Sequence, residues 1–249
     1  MGEIVGPVPG RLHVGTSGWH YKHWVGNFYP AGTKPDGFLS HYLRFFRSVE
    51  INYSFYRLPS VAALSQWKAA VPPDFVFTVK ASRFITHMKK LREPQRSFSL
   101  LMERVGILGE TLGPLLFQLS PAWRFDEARF RAFLEALPTT YRYAFEFRDP
   151  SWYNERAYEL LQQHRCAFCI YDLEYHQSPL QVTSDFVYVR LHGPSTKYSG
   201  RYSEAALEEW ANRCREWLGQ GRSVYVYFDN DIGGAAPRDA QRLKRLFNL

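Results

Sequence analysis

Side chains that can transfer protons recur at the ends of short apolar runs in this sequence. Lys80 and Glu146 lie at or near the end of such a run, His192 follows directly after one, and Glu50 lies within another. Carboxylates, amines and imidazoles are the groups that act as general acids and bases in enzymes. We therefore take Glu50, Lys80, Glu146 and His192 as the candidate catalytic residues.

A larger group of polar and aromatic side chains lies on the same runs or directly after them. Guanidinium groups neutralise phosphate charge, and aromatic rings beside a polar site stack on sugars or bases. The predicted substrate-binding residues are Trp19, Asn52, Tyr56, Gln118, Arg148, Trp152, Asp172, Arg190, Tyr198, Tyr227, Asp229 and Asn230.

The apolar runs that carry these residues have the length of β-strands, and amphipathic segments lie between them. The eight predicted strands are Leu12–Gly15, Val49–Asn52, Phe75–Lys80, Leu115–Leu119, Tyr143–Phe147, Phe168–Tyr171, Phe186–Leu191 and Val224–Phe228. The predicted helices are Phe38–Phe46, Ser60–Val71, Ser97–Leu108, Asp126–Leu137, Asn154–His164, Ser203–Leu218 and Arg238–Phe247. Ser60, Asp126 and Ser203 have the side chains of helix N-caps.

This alternation predicts an α/β fold with a parallel sheet. Eight repeats within 249 residues favour closure into a (β/α)₈ TIM-type barrel, with residues 1–249 as one domain. Leu173–Asp185 contains Pro179 and lacks a helical period, so an irregular connection is expected in place of one helix. The alternative, an open doubly wound sheet, would favour a GxGxxG turn, which Gly15–Gly18 does not supply.

Side-chain alternation within the strands predicts where the polar groups meet. Val189 and Leu191 lie on one face of their strand, whereas Arg190 and His192 lie on the other. Outer faces of barrel strands pack on helices, and inner faces open at the C-terminal mouth, where barrel active sites lie. The polar groups should therefore converge there. A self-neutralising network, with pairs such as Lys80–Glu146 or Arg190–Asp172, is the structural alternative.

The overall charge indicates the kind of partner. Lys and Arg total 31 against 24 Asp and Glu, which gives a net charge of +7. A basic surface favours an anionic small molecule or nucleic acid as partner, although the charge could also serve solubility alone.

The three cysteines argue against a disulfide framework and fit a reducing compartment. Cys166 and Cys169 are three positions apart in a strand-like run, where buried structural thiols are expected. Met1–Arg11 lacks a signal-peptide core, and no run approaches about 18 apolar residues. A cytoplasmic protein without a membrane partner is therefore expected.

Several motifs, taken together, resemble the YecE-like proteins, domain-of-unknown-function family 72. They are Gly15–Trp19, Val49–Asn52 with Ser54–Arg57 and Pro59, Glu146–Arg148 with Ser151–Trp152, Val189–Gly193 and Tyr225–Asn230. The resemblance covers nearly the whole chain and implies a TIM-type barrel with no established activity. It also implies a Phe-Asn-Asn pattern in the last strand, where this sequence has Asp229 in place of the first Asn.

Three functions stay open from these residues. The first is a hydrolase or lyase reaction on a phosphorylated or phosphodiester substrate, which would be a nucleic acid or a sugar phosphate. Carboxylates and His192 would hold a divalent metal such as Mg²⁺, Mn²⁺ or Zn²⁺ for this reaction. The second is metal-free acid–base chemistry on a carbohydrate. The third is a non-catalytic module that binds nucleic acid or phosphate. Net charge and arginine placement favour the phosphate-related chemistry.

Overall fold

The computed structural model describes residues 10–249 and alternates strands with helices along the chain. Its strands are β1 Leu12–Thr16, β2 Ser48–Ile51, β3 Val76–Lys80, β4 Leu112–Gln118, β5 Tyr143–Glu146, β6 Ala167–Leu173, β7 His176–Gln177, β8 Phe186–Leu191 and β9 Ser223–Phe228. Its α-helices are α1 Phe38–Tyr42, α2 Val61–Ala70, α3 Pro94–Val105, α4 Glu127–Glu135, α5 Glu155–Gln163, α6 Glu204–Gly219 and α7 Ala235–Arg245.

Eight of the strands form one parallel sheet that curls into a barrel. The order is β1-β9-β8-β6-β5-β4-β3-β2, so β1 and β2 are the two ends of the sheet. These ends meet through a parallel bridge between Ser17 and Glu50, and the Gly18 amide donates to the Glu50 carbonyl at 2.8 Å. The fold is therefore consistent with the predicted (β/α)₈ TIM-type barrel.

Helix starts follow the predicted capping residues. The side chains of Ser60, Asp126 and Ser203 each accept a hydrogen bond from the amide three residues later. The predicted bounds differ more at α3 and α7, which begin three residues earlier than expected. Pro94 is the first residue of α3, where proline's missing amide hydrogen has no helical partner to lose.

The connection between β6 and β8 contains no helix, as predicted. The strand β7 folds back antiparallel onto the end of β6. The hydroxyl of Ser178 then accepts from the Tyr171 amide at 2.9 Å, and that of Thr183 accepts from the Phe168 amide at 2.7 Å. Two buried side chains thus satisfy backbone groups along β6 that the irregular segment leaves free.

Apolar packing divides into an outer layer and a barrel interior. Phe117 and Phe145 point outward and pack against helix residues such as Phe133. The interior holds a separate cluster of Leu116, Ala144, Ala167, Cys169, Phe186, Tyr188, Tyr225 and Tyr227. All three cysteines are buried and unbridged, which confirms the predicted burial of Cys166 and Cys169. The inner cluster forms the floor beneath the polar residues at the C-terminal ends of the strands.

Within residues 10–249, no helix combines the length and the apolar character that a membrane crossing requires. Most of the segment for which we predicted no signal peptide, Met1–Arg11, lies outside the described residues.

Candidate functional site

The guanidinium of Arg190 lies at the centre of the polar cluster, where it binds three carboxylates. It contacts Glu50 Oε1 at 2.8 Å, Glu146 Oε2 at 2.9 Å and Asp229 Oδ2 at 3.0 Å. Arg190, Glu50 and Glu146 are fully buried. Strands β2, β5, β8 and the end of β9 thus meet at one side chain, and the predicted convergence of polar groups is observed.

Glu50 is fully engaged below the mouth. Besides Arg190, its carboxylate accepts from Ser17 Oγ at 2.7 Å and from the hydroxyl of Tyr188 at 2.7 Å. The Tyr188 hydroxyl also lies 2.9 Å from Thr78 Oγ1. Glu50 therefore anchors the cluster to the barrel floor and has no exposed oxygen to offer a substrate.

Glu146 is ionised and held by two arginines. Arg148 Nε donates to Glu146 Oε1 at 2.5 Å, and Arg190 binds the other oxygen. Burial opposes ionisation, but the guanidiniums of Arg148 and Arg190 outweigh it and hold the pKa of Glu146 well below its usual range. A carboxylate in this state does not carry a proton at neutral pH and is a poor general base.

His192 is a neutral imidazole at neutral pH. Burial, together with the nearby charge of Arg190, lowers its pKa to about 4. Its Nε2 lies 3.1 Å from Arg148 Nη2 and 3.3 Å from Arg190 Nη1 and accepts from these guanidiniums. Its Nδ1 lies 3.0 Å from Asp229 Oδ2, although not in hydrogen-bond alignment. Nε2 therefore has two hydrogen-bond donors within the cluster, whereas Nδ1 lies close to Asp229 without a hydrogen bond.

Lys80 differs from its charged neighbours. It ends β3, is 7% exposed, and its Nζ lies 4.4 Å above the ring of Phe55. Within residues 10–249, no carboxylate lies within 4.0 Å of this amine and no hydrogen-bond partner contacts it. Burial and the charge of Arg190 lower the pKa of Lys80 to about 8, against the pull of Glu146, Asp229 and Glu50. Lys80 thus carries a desolvated amine that has no ion-pair or hydrogen-bond partner among the described residues.

An aromatic recess lies beside the ends of β1 and β2. It has a volume of about 510 Å³, and its walls include Trp19, Tyr21, Tyr56 and Trp67. Trp19 packs edge-on against Trp67, whereas Tyr56 is 69% exposed. Asn52 borders this recess, and its buried Oδ1 has no hydrogen-bond partner among the described residues. This recess can accept a flat or sugar-like ring.

A second recess lies near the C-terminal ends of β4, β5 and β6. It has a volume of about 380 Å³ and is bordered by Gln118, Arg148, Tyr171, Lys197 and Tyr198. The Arg148 guanidinium stacks on Tyr171 at 4.3 Å, and Tyr198 lies edge-on to His192 at 5.7 Å. Arg148 links this recess to the buried cluster, because the same guanidinium holds Glu146.

Four predicted binding residues are placed outside the cluster, and their prediction needs correction. Trp152 is fully buried in the outer layer, where its Nε1 donates to the Trp123 carbonyl at 2.7 Å. Tyr227 points inward but lies in the floor, with its hydroxyl 2.5 Å from Ser48 Oγ. Neither side chain can reach a ligand in the mouth.

Asp172, in β6, and Asn230, just after β9, occupy positions whose side chains point away from the barrel interior. Asp172 is in register with Leu191 of β8, whereas its neighbour Tyr171 is in register with Arg190. Asn230 is fully buried and donates to the Gly200 carbonyl at 2.8 Å and to Asp239 Oδ2 at 2.9 Å, so it fixes a loop onto α7. A shift of one residue separates each of them from the mouth.

Other residues of the site were not predicted. Ser17 and Tyr188 bind Glu50, and Tyr171 carries Arg148. Tyr188 shares the inward face of Arg190, and Ser17 belongs to the Gly15–Trp19 motif, so both carried a usable signal. Asp231 was also missed: burial and the neighbouring Asp229 raise its pKa to about 6.

The predicted alternative ion pairs do not form. Within residues 10–249, Lys80 lies in no ion pair, and Arg190 binds Glu50, Glu146 and Asp229 rather than Asp172. The same described range contains no group of three His, Cys, Asp or Glu residues placed to hold a metal ion. Arg190 instead occupies the position among the carboxylates that a cation would need.

Comparisons with known proteins agree with one another. The family model "Protein of unknown function DUF72" matches residues 13–249. The UPF0759 protein YunF of Bacillus subtilis (strain 168) is 22% identical, over 96% of this chain and 95% of that protein. A DUF72 family protein of Thermotoga maritima MSB8 has a crystal structure with a TM-score of 0.87 and 30% identity, covering 96% of this chain and 100% of that one.

Two further structures bear on the fold alone. A DUF72 family protein of Enterococcus faecalis V583 gives a TM-score of 0.81 at 18% identity, over 96% of both chains. A putative vitamin-B12 independent methionine synthase of Listeria monocytogenes gives 0.53 at 11% identity, over 95% of this chain and 96% of that one. The match of the family model over residues 13–249 decides the assignment: this chain belongs to the DUF72 family of proteins of unknown function.

Proposed function

We propose that the C-terminal mouth of the barrel binds a sugar phosphate and that the chain is a lyase in which Lys80 transfers the proton. One observation carries this proposal: Lys80 is a buried amine with no partner among the described residues, beside carboxylates that arginines already neutralise. Burying a cation without a partner costs stability, so a binding or catalytic use for Lys80 is the economical explanation.

The protonation equilibrium of Lys80 suits acid–base work. A pKa of about 8 leaves a substantial neutral fraction of the amine near neutral pH, whereas an ordinary lysine is almost wholly charged. A catalytic pKa near the working pH gives the most effective proton transfer. The other predicted catalytic groups are engaged: Glu50 and Glu146 bind Arg190, and His192 contacts Arg148. Lys80 is therefore the strongest candidate in the cluster.

The placement of cations supports a phosphate rather than a neutral ligand. Lys80 ends β3, Gln118 ends β4 and Arg148 follows β5, so three donors follow adjacent strands. Arg148 Nη1 has no hydrogen-bond partner among the described residues and is available to an anion. Arginine binds phosphate in a fixed, planar geometry, and removal of such a contact costs binding strongly. The phosphate would thus be held by Arg148 and Gln118, which border one recess, with the rest of the substrate toward Lys80 on the next strand.

The aromatic recess supports a sugar as the remainder of the substrate. Trp19, Tyr56 and Trp67 offer ring faces or edges, and the unpartnered Asn52 Oδ1 can accept from a hydroxyl group. Rings combined with one polar acceptor are a common arrangement for carbohydrate binding.

The alternatives fit the geometry less well. A glycosidase needs one carboxyl group that keeps a proton, yet Glu50 and Glu146 share the charge of Arg190. Metal-assisted hydrolysis needs a set of ligands that the described residues do not offer. Binding of nucleic acid would rest on the net charge of +7 alone and should then weaken steeply with salt.

The test measures binding and turnover separately. Calorimetry with ribose 5-phosphate, ribose and inorganic phosphate should show that the phosphorylated sugar binds most tightly. Arg148→Met should weaken its binding by at least about tenfold. Arg96→Met, which changes the same residue type at a 79% exposed position on α3, should leave it unaltered.

Phosphorus NMR on a panel of aldose and ketose phosphates should then reveal a new product with the wild-type chain and none with Lys80→Met. Equal affinity of the Arg148→Met variant would overturn the phosphate assignment. Binding without turnover anywhere in the panel would overturn the assignment as a lyase.

A further inference from the structure

We propose that the Lys80 amine forms an imine with the carbonyl carbon of its substrate, which restricts the substrate to an open-chain aldehyde or ketone sugar phosphate. This inference rests on the proposed function of the site and adds the chemical step and the substrate class: the proton that Lys80 transfers is the one that its amine gives to the carbonyl oxygen as the imine forms. Its basis is the position of one side chain, argued from packing, neighbouring charge and access.

The backbone of Lys80 is tied to the turn after β2. The Ser54 hydroxyl lies 2.6 Å from the Lys80 carbonyl oxygen and 2.7 Å from the Ile51 carbonyl oxygen and shares its one proton between them. The amine lies over Phe55 at 4.4 Å, and Phe55 in turn packs edge-on against His87 at 5.0 Å. An amine that packs on an aromatic ring, has no carboxylate within 4.0 Å among the described residues and belongs to a side chain that is still 7% exposed meets the requirements of a nucleophile.

The charges around Lys80 keep a fraction of the amine neutral. Burial is the largest effect, and Arg190 adds to it by repulsion, whereas Glu146, Asp229 and Glu50 pull in the opposite direction. His87 faces the same amine from the segment after β3 and is itself biased toward its neutral form by burial and by Lys80. A lysine beside another cation in a desolvated place is a recognised arrangement for imine formation.

The step balances without any further reactant. The lone pair of the neutral Nζ attacks the carbonyl carbon, a C–N bond forms, and the carbonyl oxygen gains a proton while the nitrogen loses one. The C–O bond of this new hydroxyl then breaks, and the hydroxyl leaves as water with the second proton of the nitrogen, so amine and carbonyl compound yield imine and water. Protonation of the imine then draws electrons from the adjacent carbon, which connects the step to the proposed lyase reaction.

A purely electrostatic role for Lys80 gives a different expectation. As a phosphate-binding cation, Lys80 would be most effective when protonated and would never become covalently attached. As an imine-forming amine, it reacts only in its neutral form, so its reactivity rises with pH toward pH 8. Covalent trapping therefore distinguishes the two roles.

The experiment uses the full chain with D-glyceraldehyde 3-phosphate and sodium cyanoborohydride. Intact-mass measurement should show one adduct per chain at short times, and peptide mapping of the wild-type protein should place it on Lys80. At pH 8 its neutral fraction exceeds that of an ordinary lysine on the order of 100-fold, so Lys80 should be labelled that much faster than surface lysines. Adducts spread over exposed lysines at similar rates would overturn the proposal.

Two variants complete the test. Lys80→Arg should abolish the rapid adduct, whereas Lys34→Arg, at an exposed position before α1, should retain it. Because mapping is done on the wild-type chain, the assignment does not depend on whether Lys80→Arg folds. A rapid adduct that persists in folded Lys80→Arg would overturn the proposal.

The phosphate and imine parts can fail separately. Unphosphorylated D-glyceraldehyde should label Lys80 about tenfold more slowly, and Arg148→Met should remove only the advantage of the phosphorylated compound. If Lys80 is not labelled but the chain still binds ribose 5-phosphate, only the imine proposal is overturned. If both aldehydes label Lys80 at the same rate and Arg148→Met does not change this rate, the imine proposal stands and the phosphate site is overturned.

Discussion

Two buried cations in the same barrel have opposite energetic roles. Arg190 binds three carboxylates, whereas Lys80 has an aromatic ring and no carboxylate within 4.0 Å among the described residues. A buried charge is tolerated when it is paired and hydrogen-bonded, and is costly when it is not. Arg190 therefore neutralises the buried carboxylates, whereas the unpaired Lys80 is expected to reduce the stability of the fold.

Arg190→Met should destabilise the protein severely. The substitution leaves Glu50, Glu146 and Asp229 buried without their shared partner, and breaking a buried ion pair in this way costs about 3–5 kcal/mol. Urea unfolding at pH 7 measures the change in unfolding free energy, with Arg96→Met as the surface control, expected to stay within about 0.5 kcal/mol of the wild type. A loss below about 1 kcal/mol would mean that the carboxylates are neutralised in another way.

Lys80→Met should stabilise the protein at pH 7, by about 1–3 kcal/mol. The pKa of Lys80 is about 8 in the folded chain, against 10.5 for an ordinary lysine, so the unfolded chain binds its proton more tightly. The wild type therefore carries the full cost below pH 8 and loses it as the pH rises to 10.5. Urea unfolding from pH 7 to 10 should show the gain shrinking; a variant less stable than the wild type at pH 7 would contradict this account.

The elements explain which site residues could be predicted from the sequence. Strand alternation has a period of two, and it placed Glu50, Lys80, Glu146, Arg190 and His192 correctly on the inner face. The alternation does not show at which residue each strand ends, so it does not predict the side-chain direction there. Asp172 and Asn230 were chosen for their polarity, although Tyr171 and Asp229, one residue before each, are the ones that face inward.

Loops set a harder limit, because no periodicity fixes the direction of their side chains. Trp152 and Tyr56 both follow strands and were assigned the same role, yet one is fully buried and the other is 69% exposed. The sequence also could not predict which carboxylates Arg190 binds. It depends on how far a long side chain reaches across the barrel, and strand phase does not specify this distance.

The contrast between these two rings can be tested at the level of the loops. Trp152→Ala should lower the unfolding free energy by about 3–5 kcal/mol, because it empties a packed position in the outer layer. It should leave the affinity of the folded protein for ribose 5-phosphate within about twofold. Tyr56→Ala should do the reverse, with stability within about 0.5 kcal/mol and clearly weaker binding. Unfolding and calorimetry on both variants check the pair; weaker binding by folded Trp152→Ala would reinstate it as a site residue.

At the scale of the whole molecule, net charge and site charge are different quantities. The chain carries +7, yet the cluster combines three carboxylates, Glu50, Glu146 and Asp229, with three cations, Lys80, Arg148 and Arg190. The excess positive charge thus lies elsewhere. The number of strand–helix repeats predicted a closed barrel, but how its two ends join was not visible in the sequence.

The junction between β1 and β2 depends on one glycine. A Cβ atom at Gly15 would lie 2.2 Å from the Ser48 carbonyl oxygen and 3.0 Å from the Tyr42 hydroxyl. The first neighbour is backbone and cannot move without parting the strands, so Gly15→Ala should force them apart beside the Ser17–Glu50 bridge. We expect a loss of at least about 2 kcal/mol in unfolding free energy, together with weaker sugar phosphate binding, because Glu50 is drawn away from Arg190.

Gly219, at the end of α6, supplies the matched control because a Cβ there meets nothing within 4 Å. Gly219→Ala should leave binding unaltered and change stability by less than about 1 kcal/mol, on the favourable side. If Gly15→Ala behaved like Gly219→Ala in both measurements, the ends of the sheet would not be closely joined at this point. The claim that barrel closure positions Glu50 beneath the mouth would then fail, independently of the results for Lys80.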